Sequence, residues 1–489
     1  MSATSAVSTP QRGFFGHPRG LSTLFFTELW ERFSYYGMKA ILAYYLYRTA
    51  AEGGLGLDKS FALSLVAIYG ASVYMSGVAG GWLADRVLGG QRAVFYGGVL
   101  IMFGHIALAL PIGVTGVYTG LILIVLGTGL LKPNISTVVG GLYDQQDPRR
   151  DSGFTIFYMG INLGGFLAPL VCGFLGETYD WHLGFGAAAV GMALGLVVYR
   201  LGRRGLGDSA ATPPFPLPAE ERGRVLGRVV AVTVGVVGVV AALVVLGVLG
   251  AEGVINLISL LSVLLPVGYF AVMIRSPRTT PVERSRVIAY IPLFIAAAMF
   301  WLLFEQSATV IAAFADTRVE TSFLGLAFPP SFIQSINPVM IIAVAPLFAL
   351  LWVRLAKRQP STPRKFGYAL LLVGLSFLLL MVASQGEGRV SFLWLVLMYL
   401  VMTCGELLLS PVGLSVTTKL APRAFASQTM GLWFLATAAG SGVGAIVVRF
   451  YSDENAVAYF GVLGTVAIVL GVALVASTKA IHRLMRGVD

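Results

Sequence analysis

Apolar runs of about 20 residues, each ended by a short polar or Pro/Gly-containing break, recur along the chain from Leu21 to Ile481. That is the length a helix needs to cross a bilayer, so the pattern predicts a polytopic membrane protein. The breaks place spans near 21–50, 60–85, 93–112, 117–142, 152–177 and 181–200, a first group of six. A polar, Pro-rich stretch at 203–228 then precedes two featureless runs of Val, Leu, Gly and Ala, at 229–250 and 253–274. A second basic linker, 275–286, leads to spans near 287–315, 331–353, 366–385, 391–418, 424–451 and 456–478. The expected fold is all-α, with six-helix bundles at 21–201 and 287–480 and two helices inserted within 202–286. Tails at 1–20 and 481–489 complete a chain of 14 transmembrane helices.

Composition sharpens this reading by exclusion. With 57% hydrophobic and only 12% charged residues in 489, the chain is neither an array of soluble domains nor disordered. The first 20 residues are polar, contain Pro10, Gly13 and Pro18, lack an apolar core, and do not read as a signal peptide. If the amino terminus is cytoplasmic, the inner loops receive Arg12, Arg19, Arg86, Arg92, Arg149, Arg150, Lys419, Arg423 and Lys479. They also receive the clusters at 200–228, 275–286 and 354–365. Only Arg48, Lys59, Arg318, Arg389 and Arg449 fall at the outer side, so both termini are expected in the cytoplasm. The net charge of +11 thus reflects membrane orientation and implies no nucleic-acid partner. Cys172 and Cys404 lie far apart in apolar runs and read as packing residues, with no metal site.

The cations left within the spans are Arg32, Lys39 and Lys132, and four acids join them: Glu28, Glu31, Glu305 and Glu406. An intramembrane charge costs several kcal/mol unless it is paired or faces water, so together these residues mark a functional interior. On a helix, Glu28, Glu31 and Arg32 stand at i, i+3 and i+4, and Lys39 lies seven further on. One face of the first span therefore carries a polar stripe about three turns long. Structural ion pairs locking helices together are the competing reading. The cations come from the first half, whereas Glu305 and Glu406 come from the second, which sets opposite charges across the interface between halves.

Several motifs go further. The segment Gly80-Gly81-Trp82-Leu83-Ala84-Asp85-Arg86 through Arg92 resembles the inner loop motif of the major facilitator superfamily. Its glycines permit close helix approach, and Asp85 with Arg86 is expected to act as a gating latch. Glu28 to Gly37 (ELWERFSYYG) resembles the ExxER helix of the proton-dependent oligopeptide transporter family. Phe157 to Gly164 (FYMGINLG) and Gly405 to Gly413 (GELLLSPVG) are similar to two further signatures of that family, and Phe300-Trp301 with Phe304-Glu305-Gln306 fits its seventh helix. The resemblance spans the chain from Leu21 to Ile481, and the six-two-six plan matches bacterial members.

The resemblance implies a proton-coupled symporter that imports dipeptides and tripeptides by alternating access, resides in the bacterial inner membrane and works as a monomer. It assigns the peptide carboxylate to Arg32 and Lys132, and the amino end and backbone to Glu406, Asn162 and Asn337. Tyr35, Tyr36, Tyr74, Trp301 and Trp433 would shape side-chain pockets. Glu28, Glu31, Arg32 and Glu305 would couple protons, while Lys39–Glu305 and Lys132–Glu406 would gate. Lys39 departs from the arginine common in the family, which removes bidentate geometry. Apart from protons as coupling ion and surrounding membrane lipids, no cofactor is expected. A membrane enzyme would need a nucleophile with a base, a metal cluster or a cofactor loop, and the spans carry no such constellation. The alternative is a major facilitator carrier for another solute, such as nitrate, a sugar or a drug.

Overall fold

A computed structural model describes residues 13–144, 147–208, 210–323, 325–386 and 388–488. The first twelve residues, with Arg12 of the expected tail, lie outside these. The first bundle comprises α1 (Arg19–Tyr47), α2 (Lys59–Leu83), α3 (Gly90–Ala109), α4 (Val114–Gly140), α5 (Arg150–Thr178) and α6 (Trp181–Gly202). The inserted pair is α7 (Ala219–Val245) and α8 (Ala251–Arg275). The second bundle comprises α9 (Pro281–Phe304) with α10 (Val310–Arg318), α11 (Ile336–Leu355), α12 (Thr362–Ala383), α13 (Leu393–Leu420), α14 (Ala426–Val447) and α15 (Ala456–Ala476), followed by the short α16 (Thr478–Leu484). Thirteen segments among the described residues are long and apolar enough to cross a membrane, counting α9 and α10 as one. The fourteenth is α1, whose 29 residues are long enough but carry the interior charges.

Backbone contact between glycines draws the helices of each bundle together. A Cβ at Gly97 of α3 would stand 2.6 Å from the Gly127 carbonyl of α4, and one at Gly374 of α12 would stand 2.7 Å from the Gly464 carbonyl of α15. Small residues at such crossings replace the hydrophobic drive that lipid cannot supply. The two bundles meet along α2 and α14, and α8 packs against both of these helices. It is therefore a wedge at the junction of the halves, whereas α7 buries none of its residues.

Two departures from the expected plan matter for the site. The span expected at 287–315 is interrupted by a 3-10 turn, Glu305–Ala308, between α9 and α10. There Ser307 Oγ donates to the Phe304 carbonyl at 2.7 Å, a local bond that competes with helical pairing. The fold is also not purely helical, because β1 (Val319–Glu320) pairs in parallel with β4 (Val390–Ser391), and β2 (Ser322–Phe323) pairs antiparallel with β3 (Leu326–Ala327). These strands lie in loops on the face opposite the α1 amino terminus. The face at that terminus carries most of the loop arginines and is called here the basic face.

Candidate functional site

The polar stripe of α1 is buried and bonded internally. Glu31, fully buried, grips Arg32 bidentately, accepting from Nη2 at 2.6 Å and also from Nε. Glu28 reaches the same Nε through Oε1 at 3.4 Å, and its Oε2 is buried without a partner. The Arg32 guanidinium lies 5.0 Å from the ring centre of Tyr35 and 5.8 Å from that of Tyr36, which adds cation–π attraction. One turn beyond Tyr35, Lys39 Nζ donates to Glu305 Oε2 at 2.6 Å, and Gly70 of α2 lies beside that carboxylate. The break between α9 and α10 thus positions Glu305 against the other half.

The remaining expected residues distribute unevenly. Lys132 sits on α4 just before Pro133, with Nζ 4.2 Å from the ring centre of Tyr74, and no ion pair joins it to Glu406. Asn337 of α11 donates to Glu406 Oε2 at 3.1 Å and to Thr403 Oγ1 at 3.0 Å, which orients the carboxylate. Asn162 instead donates to the Tyr158 carbonyl of its own helix at 3.0 Å. Trp433 is buried against Gly413, where an added Cβ would fall 2.0 Å from its ring. Trp301 packs edge-on to Phe300 and Phe304, with its indole nitrogen buried and unpartnered. Tyr36, half-buried, lies within electrostatic reach of Arg32, Lys39, Glu305 and Glu406, so charges from both halves converge around it.

In this conformation the loop motif holds the segment that precedes α7. The Asp85 carbonyl accepts from Phe215 N at 3.1 Å and the Arg86 carbonyl from Leu217 N at 3.1 Å, so the segment before α7 is docked on this loop. Gly80 does serve close approach, since a Cβ there would lie 2.0 Å from the Gly129 carbonyl. Cys172 packs on Gly37, as expected of a packing residue, and His105 is fully buried with neither ring nitrogen bonded.

A second layer of contacts between halves lies beyond Lys39, toward the opposite face. Tyr44 OH donates to the Ala312 carbonyl at 3.1 Å, while Tyr47 OH and Arg48 Nη2 both reach Asp316 at 2.7 Å. Glu177 accepts from Ser331 N at 3.2 Å and faces Arg48 at 3.8 Å; Lys59 pairs with Asp453 at 3.3 Å. Sequence reading placed Arg48 merely at an outer helix end. Tyr44, Tyr47 and Arg48, at i, i+3 and i+4, share a face of α1 about half a turn out of phase with the Glu28–Lys39 stripe, and that second polar cluster was the signal available. Toward the basic face, by contrast, the halves part around a cavity of about 710 Å³ lined by Asp147, Arg150, Phe154, Leu414, Thr418 and Met430. The molecule is closed at one face and open at the other.

This geometry has close counterparts. A family profile described as the POT family matches residues 91–475. The chain belongs to the POT family. It is 54% identical over 485 residues to the "Uncharacterized transporter YclF" of Bacillus subtilis (strain 168), with 98% of each chain covered. To a "Di-/tripeptide transporter" of Lactococcus lactis subsp. cremoris it is 44% identical over 490 residues, covering 98% of this chain and 99% of that one. A crystal structure of a peptide transporter POT in complex with sulfate superposes with a TM-score of 0.95 at 56% identity over 98% of each chain. A POT family transporter in complex with 5-aminolevulinic acid superposes with a TM-score of 0.93 at 42% identity, covering 97% of this chain and 99% of that one. The POT-family chain is thus a multi-pass membrane transporter whose interior charges come from both halves.

Proposed function

We propose that this protein is a proton-coupled symporter importing dipeptides and tripeptides by alternating access across the bacterial inner membrane, with both termini cytoplasmic. The basic face is then cytoplasmic, and the conformation is open to the inside. The observation that carries the reading is the set of opposed charges: Arg32 and Lys39 from the first half and Glu305 and the Asn337-oriented Glu406 from the second lie around Tyr36, with Lys132 beside Tyr74. A zwitterionic peptide offers a carboxylate to one side and an ammonium to the other, which fixes its ends and leaves the side chains free.

Coupling follows from competition for Arg32. While Glu31 is ionised it occupies two guanidinium donors, so protonating Glu31 frees Arg32 for the peptide carboxylate. Glu28, with one buried oxygen unpartnered, is the carboxyl to which we assign the proton while Glu31 holds Arg32, and its passage to Glu31 is the step that releases the guanidinium. Glu305 serves the outer gate, because neutralising it releases Lys39. One positive charge moving down 100 mV releases about 2.3 kcal/mol, which supports about fifty-fold accumulation.

Reconstitution into vesicles with an imposed proton gradient tests this directly. Labelled dialanine should accumulate uphill, and uptake of nitrate, sugars or drugs in its place would sink the reading. End recognition has its own test. An N-acetylated peptide should bind wild type far more weakly, whereas Glu406→Ala should lose little further affinity on acetylation. Equal penalties in both proteins would leave Glu406 as a latch.

A further inference from the structure

A second charged cavity lies away from the transport cleft. Between the start of α3 and the end of α6, on the basic face, a cavity of about 150 Å³ is lined by Gln91, Arg92, Phe95, Tyr96, Arg200 and Arg203. Three guanidiniums converge there, no carboxylate lines the cavity, and none of the three is in an ion pair among the described residues. The floor is built. Gln91 is buried, held by Nε2 to the Gly207 carbonyl at 2.9 Å and through its own carbonyl by Tyr199 OH at 2.8 Å. Its Oε1 accepts from Arg203 Nε at 3.4 Å, which orients that guanidinium, and Phe95 stacks on Tyr199 behind it.

Arginines at helix ends on a basic face are ordinary orientation signals, and Arg200 in the last turn of α6 also complements that helix terminus. What sets this cavity apart is its continuation. From Arg200 an exposed apolar column runs down α6 through Val197, Leu194 and Val190, and from Tyr96 another runs down α3 through Phe103 and Leu110. The spacings of three, four and seven residues keep each column on one helix face. A cationic pocket at interface depth thus opens onto two apolar tracks that enter the bilayer.

We propose that this cavity binds the phosphodiester headgroup of an anionic phospholipid, with the acyl chains lying along the α3 and α6 columns. Free inorganic phosphate shares the headgroup chemistry but has nothing to place on the columns. Basic pockets between transmembrane helices recognise lipid headgroups in this manner, each cation contributing about fivefold in affinity. The bound headgroup would also neutralise guanidiniums beside the 84–92 loop and the 203–218 segment docked on it.

Native mass spectrometry of the full-length protein in mild detergent, titrated with phosphatidylglycerol or phosphatidylcholine, tests the assignment. Wild type should retain phosphatidylglycerol in preference. The triple variant Arg92→Gln, Arg200→Gln, Arg203→Gln should lose about a hundredfold in affinity, at about fivefold per cation. Arg278→Gln, on the same face but outside the cavity, should leave retention unchanged, and an unaltered melting temperature in phosphatidylcholine shows that the triple variant is folded. Retention lowered as much by Arg278→Gln, or unaffected by the triple variant, would overturn the site. Displacement of the lipid by inorganic phosphate as effectively as by phosphatidylglycerol would overturn the lipid assignment and mark a free-phosphate site.

Discussion

Replacing Glu305 with Gln should open the face that the present conformation closes. The Lys39–Glu305 pair measures 2.6 Å, with side chains only 10% and 11% exposed, so its loss strands a buried ammonium. Removing one partner of a buried pair costs about 3–5 kcal/mol. The Gln amide oxygen still accepts from Lys39 and restores part of this, which leaves about 2 kcal/mol against the closed face. At about 1.4 kcal/mol per decade that is about thirtyfold, enough to raise an outward-open population from about one in a hundred to about one in four. Glu305→Ala, which restores nothing, should shift the equilibrium further. The Arg48–Asp316 and Lys59–Asp453 contacts remain in both variants and keep the change partial. Spin labels at Ala51→Cys and Glu454→Cys, exposed on that face in opposite halves, read the distance in a Cys404→Ala background, Cys172 being buried. The exchange Lys39→Glu with Glu305→Lys should restore the short distance. Distance distributions in Glu305→Gln and Glu305→Ala indistinguishable from wild type would refute the reasoning.

Glu31→Gln should abolish uphill uptake while sparing peptide exchange, because the amide no longer competes for Arg32 as a carboxylate does; normal accumulation in counterflow-competent vesicles would move the coupling site to Glu305. Gly80→Ala should destabilise the first bundle by about 1–3 kcal/mol, seen as a lower melting temperature, since its Cβ would meet the Gly129 backbone rather than a side chain that can turn aside. In the loop before α5, hydrogen bonds from Arg149 hold the Asp147 carboxyl below its ordinary value, and Arg149 in turn donates to the Gly16 carbonyl at 3.1 Å. A depressed carboxylate contributes above its unfolded value of about 3.9 and ceases to as pH falls through its folded value. Hydrogen exchange at Arg149, whose amide donates to Asp147 at 2.8 Å, should therefore keep its protection at about pH 3.9 and lose it only at lower pH. Protection unchanged there would contradict the assignment.

What could be read from the sequence was whatever the bilayer makes expensive. A run of apolar residues has one role at that length, and charges within it stand out because each needs a partner or water. Hence the spans, the α1 stripe and Glu305 and Glu406 were all visible before any coordinates. The interruption at Glu305 was not, because Glu305-Gln306-Ser307-Ala308 contains neither Pro nor Gly and its helix break rests on local hydroxyl bonds. The partners of the loop motif were also hidden: Phe215 and Leu217 join Asp85 and Arg86 through backbone groups that any residue carries. Asn162 could equally bond its own helix or another, and composition gives no preference between the two. The wedge position of α8 had no signal either, since Val, Leu and Gly suit lipid and protein contacts alike.

Under the proposed function, one set of charges would serve binding, coupling and gating without a separate device for each. Arg32 has a fixed number of donors, and in this state Glu31 takes two of them. A peptide carboxylate can gain them only if that acid gives way, so binding and protonation favour each other through a shared partner. The outer gate obeys the same logic, because Lys39 and Glu305 satisfy each other only while the opposite face is shut. Tyr35 ties the two together: its ring lies 5.0 Å from the Arg32 guanidinium and 5.8 Å from Lys39 Nζ. A shift of Arg32 toward substrate therefore changes the surface against which Lys39 rests. Coupling over this distance requires only that α1, which carries Glu31, Arg32, Lys39 and the Tyr35 ring between them, move as one rigid helix.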